Sequence, residues 1–220
     1  TKGQPVFGRG MVFPYSLEKL VVEDFDIPES WPRICGIDFG FDHPTAIVWG
    51  AINPENGCFY IVDEYRESRQ TAVEHAIAIR ARPNQPPIAW PHDGNRTFDG
   101  GDSMAQQYRQ EGVNFLPEHF TNPPDISQTK GDIKISAGIT ALTRAMQKGL
   151  FKVFQSCHFW QQEYGTYHFG DNGKIVDKED DLMSATRYAF QSQRFAQASE
   201  SNKKRRPWET EETNNYNWVT

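Results

Sequence analysis

The stretch RICGIDFGFDHPTAIVWG, residues 33–50, decides how the rest of the chain is read. Ile34, Cys35, Gly36 and Ile37 form a short apolar run that ends on a carboxylate, Asp38. Residues 39–44 carry Gly, Asp and Pro and read as a turn, and residues 45–50 form a second β-rich run. An acid at the crest of a strand, where a loop opens, can hold a cation without being buried unpaired. An aspartate in an ordinary hairpin turn has the same local sequence, so the weight falls on whether other acids join Asp38.

Working outward, NPENG at residues 53–57 is a strong turn signal and CFYIVDE at 58–64 is a third strand, with Asp63 and Glu64 as solvated charges at its end. Three strands joined by short turns form an antiparallel meander, because parallel neighbours need a crossover of about a dozen residues. Residues 71–82 have helical spacing and stop at Pro83; residues 86–91 make a fourth strand that arrives at His92-Asp93-Gly94. A strand reached through a crossover helix lies parallel to the first, so Asp38 and Asp93 should emerge side by side at one sheet edge.

Further along, the pattern gives a helix at 102–112, a short fifth strand at 113–116, a polar loop at 117–130 and an amphipathic helix at 132–148 that Gly149 stops. Residues 151–154 are extended and 157–164 helical, with Phe159 and Trp160 as core. Residues 164–176 read as a hairpin with Asp171-Asn172-Gly173 at its tip. That ribbon is either a probe of a DNA groove, through Tyr167, His168 and Lys174, or a plain two-stranded cap. Asp180 and Asp181 then open an apolar helix, where acids ordinarily serve capping and the helix dipole.

The bulk numbers narrow the classes. At 220 residues the chain holds one large domain with appendages, which its mean hydropathy of -0.69 also suggests. No apolar run reaches the roughly 20 residues of a membrane helix, and no secretory leader is present. Three separated cysteines, Cys35, Cys58 and Cys157, suit neither a zinc cluster nor a disulfide framework and point to a reducing, cytosolic setting. A net charge of -6 counts against a simple nucleic-acid-binding domain, but carboxylates gathered at a metal site would lower the charge in the same way. GDNGK at 170–174 lacks the spacing of a Walker loop, so ATP hydrolysis by that route is excluded.

Assembled, the order is three antiparallel strands, helix, strand, helix, short strand, then helices, with acids on the first strand, after the fourth and at the last helix. IDFGFDHPTAIVWG (37–50), FYIVDEY (59–65), WPHDG (90–94) and above all DDLMSATRYA (180–189) resemble the C-terminal nuclease domain of tailed-phage terminase large subunits. The resemblance covers about residues 5–197. It implies an α/β, RNase H-like fold: a central mixed five-stranded sheet flanked by helices, with an added β-hairpin. It divides the chain into a linker at 1–31 from an absent upstream ATPase domain, a nuclease domain at 32–196 and a flexible tail at 197–220. Residue by residue it makes Asp38, Asp93 and Asp180 the catalytic metal ligands, with Asp181 in reserve for the third place.

The activity so implied is endonucleolytic cutting of concatemeric viral double-stranded DNA during packaging, with little sequence specificity, in the host cytoplasm. Two Mg²⁺ or Mn²⁺ ions suit such hydrolysis, and all-oxygen ligands select hard cations. Terminase small subunit and portal protein are the implied partners, met through the tail with its 203–206 basic cluster, Trp208, Tyr216 and Trp218. His43 and His92 neighbour the acids in supporting or turn roles, and Lys130 and Lys134 either contact DNA phosphates or simply start a helix. The rivals are a junction-resolvase or transposase-like enzyme and a non-catalytic portal- or capsid-docking domain.

Overall fold

The computed structural model describes residues 10–97, 101–124, 131–176 and 178–198. Among them six strands form one mixed sheet, in the order β1-β6-β4-β3-β2-β5. The strands are β1 (Val21–Val22), β2 (Arg33–Asp38), β3 (Thr45–Ile52), β4 (Phe59–Glu67), β5 (Ile88–Ala89) and β6 (Phe151–Phe154). β2, β3 and β4 are the expected antiparallel meander, and the chain crosses over through α1 (Ala72–Arg80) to set β5 parallel to β2, with Gly36 opposite Ala89. Thr71 caps α1 in a reciprocal capping box with Glu74, which fixes where the crossover begins.

Two expectations need correction. The sheet has six strands rather than five, and residues 113–116 are not among them. The edge strand β5 is only two residues long, so that segment gains one parallel bridge, Ile88 to Phe115, and no ladder. The opposite edge is completed by β6, parallel to β4, and by β1, parallel to β6. The added hairpin is also reduced, to a single bridge between Phe169 and Ile175. Helix α4 (His158–Thr166) continues to residue 166 and takes Tyr164 into the core, where its ring stacks on Trp160 (centroids 5.1 Å apart) and Phe13 (5.7 Å).

The period-2 alternation of β2 and β3 separates two faces. Cys35, Ile37, Ile47 and Trp49 pack with α1 and α2 (Met104–Gln110). Ile34, Ala46 and Val48 pack beneath α3 (Ile135–Gln147), α4 and α5 (Asp181–Gln191). On that side Trp160 is fully buried and its indole N–H donates to Thr186 Oγ1 at 2.8 Å, tying α4 to α5. Val12, Phe13 and Leu20 belong to the same core, and Arg33 exchanges backbone hydrogen bonds with Gln197 (2.8 and 3.0 Å).

Candidate metal centre

Asp38 stands where β2 ends, and the loop beyond it is fixed. Thr45 Oγ1 accepts from Gly40 N–H (3.2 Å) and donates to Gly40 O (2.8 Å), while a Cβ at Gly40 would collide with the carbonyls of His43 and Pro44. Asp93 follows β5 in a single 3-10 turn, His92–Asn95. The indole N–H of Trp90 donates to Leu116 O (2.8 Å), and Gly94 leaves room for the rings of Phe39 and Trp90. Both acids therefore leave the carboxyl ends of adjacent parallel strands, where α/β folds place their ligands.

Helix α5 brings the third acid because it lies unusually close to β2. A Cβ at Gly36 would overlap Ala185 O and stand 2.8 Å from Ala189 N, so only glycine admits the helix at this distance. Its first residue, Asp181, is thereby carried toward Asp38. Burial raises the proton affinity of Asp38 well above the carboxylate range. Asp93, Asp181 and Asp180 add to this in that order, and Arg187 opposes it. Of the two neighbouring acids, then, Asp181 acts on Asp38 more strongly than Asp180. Asp181 is itself raised, first by burial, against the pull of Arg66 and His43. Asp180 borders a groove of about 650 Å³ between α3 and the hairpin, shared with Ser184, Lys174 and Phe169.

The donor set is the all-oxygen one that hard divalent ions take. As placed, however, no three His, Cys, Asp or Glu side chains among the described residues converge into a ready-made cage. Mutually repelling carboxylates hold apart until a cation draws them together, and the raised proton affinity of Asp38, due first to burial, includes that repulsion. The residues fit a divalent ion in chemistry and in location; closing the site requires the acids to approach.

The other expected residues fall as follows. His43 is exposed in the loop after β2 and bears electrostatically on Asp181; His92 lies edge-on to His119, 4.9 Å between centroids. Lys134 is exposed beside Asp132 (3.7 Å), and Lys130 lies outside the described residues. Tyr167 is buried against Phe13 and so is no groove probe, whereas His168 and Lys174 are exposed. Phe159 is half exposed, and Trp160 alone of that pair is core.

Sequence reasoning missed a second layer. Glu64, read as a solvated strand end, accepts from Phe159 N–H (2.8 Å) and Trp160 N–H (2.7 Å) and so caps α4. Asp63 pairs with Arg82 (2.6 Å). Glu163, 2 % exposed, accepts from Leu182 N–H (2.7 Å) at the start of α5 and meets Arg66 Nε at 3.1 Å. Burial pushes its carboxyl up to about 7, against the pull of the Leu182 N–H and Arg66. The only signal for these residues was an acid or base at a strand or helix end, which solvated residues share.

With this geometry in hand, the likeness to known proteins is specific. The model of the terminase RNaseH-like domain matches residues 35–193, well over half of the chain. The chain belongs to that family. It is 35% identical over 196 residues to the terminase large subunit of Salmonella phage P22, covering 89% of this chain and 38% of that protein. The chain thus spans well under half the length of the curated relatives it matches. Among solved structures, the P22 large terminase nuclease domain superimposes with a TM-score of 0.78 at 34% identity, covering 88% of this chain and 97% of that one. The nuclease domain of the phage SPP1 large terminase, solved with bound Mn, shares the fold (TM-score 0.60, 19% identity, covering 81% of this chain and 98% of that one). The fold of this terminase RNaseH-like domain is therefore RNase H-like α/β.

Proposed function

We propose that the chain is the nuclease portion of a phage terminase large subunit and hydrolyses phosphodiester bonds of double-stranded DNA with divalent metal. The observation that carries this reading is that Asp38 and Asp93 leave the carboxyl ends of adjacent parallel strands while α5, packed on β2 at Gly36, brings Asp181 to the same end, so that Asp93, Asp181 and Asp180 all bear on a half-buried Asp38. Asp38, Asp93 and Asp181, with Asp180 beside it, would be the residues that hold the ions. When bound, two Mg²⁺ or Mn²⁺ ions supply charge neutralisation at the phosphate and a more acidic attacking water. The chain's own contribution is to orient the carboxylates, through the Gly40–Thr45 clasp and the Gly36 contact, and to offer the Arg187 cation nearby.

The substrate of this reading is concatemeric viral DNA, cut with little sequence preference because contacts fall mainly on phosphates. An ATPase part of the same polypeptide, the small subunit and the portal protein are its partners, in the host cytoplasm. Among the described residues no helix is long and apolar enough to cross a membrane.

Supercoiled-plasmid cleavage with Mn²⁺, Mg²⁺ or chelator tests it. Loss of metal-dependent cutting in Asp38→Ala and Asp93→Ala, with folding intact, is the expected result. Equal cutting by these variants would remove the reading and leave a docking domain; much faster cutting of branched than linear duplex would favour a resolvase-like enzyme.

A further inference from the structure

We infer that Arg66 is the domain's resident cation at the Asp181 side of the metal centre, and that Glu163 holds it back so that Asp181 stays available to a divalent ion. The inference rests on Asp181 being a metal ligand, as proposed above. Three elements far apart in sequence meet here. Arg66 on β4 stands opposite Ala46, which stands opposite Asp38, so Arg66 and Asp38 occupy one rung of the sheet and point to the α5 face. From that rung the guanidinium reaches Glu163 of α4 with Nε (3.1 Å) and Asp181 of α5 with Nη2 (3.6 Å).

The two contacts are unequal. Charge-assisted pairs settle at roughly 2.7–2.9 Å, so the longer contact leaves Asp181 only loosely engaged. Glu163 is the more buried partner and is pinned by Leu182 N–H and, at 3.4 Å, Met183 N–H. Its other oxygen meets Arg66 as an ionic contact: among the described residues neither Arg66 Nε nor Glu163 Oε1 finds a hydrogen-bond partner. The Nε contact is therefore ionic, and the guanidinium lies between two carboxylates of which Asp181 is the one that bears on Asp38. Neutralising Glu163 leaves Asp181 as the remaining anion within reach. The fork would close on it, and an incoming metal ion would have to displace it.

The test is calorimetric titration of Mn²⁺ into the intact chain and its variants, which needs no turnover. Glu163→Gln keeps an oxygen for the start of α5 and is expected to weaken Mn²⁺ binding about tenfold, at the low end of what second-layer changes cost metal sites. Arg66→Met should bind Mn²⁺ at least as tightly as the native chain, and Glu163→Gln with Arg66→Met should match Arg66→Met. Native-like affinity in Glu163→Gln, or weaker binding in Arg66→Met, overturns the inference. Should Glu163→Gln fail to fold by circular dichroism, Arg66→Met alone decides. Asp38→Asn and Asp181→Asn separate the two levels. If the native chain binds no Mn²⁺, or Asp38→Asn binds it as well, the metal reading itself fails. If Asp181→Asn alone binds like native, Asp181 is no ligand and the inference falls with the nuclease reading intact.

Discussion

Replacing Gly36 by alanine changes one hydrogen into a methyl group at the point where α5 meets β2. The added carbon would overlap Ala185 O and stand 2.8 Å from Ala189 N and 3.0 Å from Ala185 C, all backbone atoms that no rotamer change can move. Ordinary contact begins at 3.4 Å, so the helix must retreat by at least about 0.6 Å at Ala189 and by more at Ala185. Overpacking of this kind costs about 1–3 kcal/mol, and the alanine's smaller backbone entropy in the unfolded chain recovers less than about 1 kcal/mol. Ala185 is one helical turn from Asp181, so the acid withdraws from Asp38 by a similar distance. A misplacement near 1 Å costs a reaction about 100-fold, and a loss of about 10- to 100-fold in Mn²⁺-dependent plasmid cutting is expected. Urea unfolding and plasmid nicking on the same preparation measure both effects. Unchanged stability with full cutting would refute the claim that this contact sets the position of Asp181.

Asp38→Asn removes a carboxyl whose ionisation is opposed first by burial and then by its acidic neighbours; it should abolish cutting yet stabilise the metal-free chain at pH 7.5, read as a higher melting midpoint. Asp181→Ala should lose at least about 100-fold in cutting and Asp180→Ala less than about tenfold, since Asp181 bears more strongly on Asp38; the reverse ranking would make Asp180 the ligand. Glu163 has its folded pKa raised to about 7, and Asp38 is raised in the same direction. The folded state therefore binds more protons than the unfolded one between the ordinary carboxylate range and about 7. That stability is fully present below the unfolded pKa and is lost as pH rises through the folded one. The metal-free chain should accordingly gain roughly 1–3 kcal/mol as pH falls from 7.5 to 5.5, and saturating Mn²⁺ should flatten the trend; a midpoint that drops on acidification without metal contradicts it.

What was legible in the chain follows from the reach of each signal. Asp38 and Asp93 could be brought together from sequence because a crossover helix constrains the neighbouring strand to be parallel. The last helix was marked by its acids and its small residues. The far edge was not: β1 has two residues, too short for periodicity, and the extended run at 151–154 carries no sign of its parallel partners β4 and β1, so the six-strand count depends on both. The contact joins Arg66 to Glu163 and Asp181, about a hundred positions or more further along the chain, and each alone looks like a solvated charge. The choice between Asp180 and Asp181 turns on helix orientation, which Gly36 sets and adjacent positions in sequence cannot reveal.

Where the chain enters has a mechanical corollary. Phe169 N–H donates to Gly10 O (2.6 Å) and Val12 N–H to Tyr167 O (3.1 Å), so the entering segment is stitched to the ribbon before it reaches the sheet edge at β1. The same ribbon runs on within a few residues to Asp180 and Asp181. A pull on the polypeptide ahead of residue 10 loads those two bonds first, and the strain passes along the ribbon toward the start of α5.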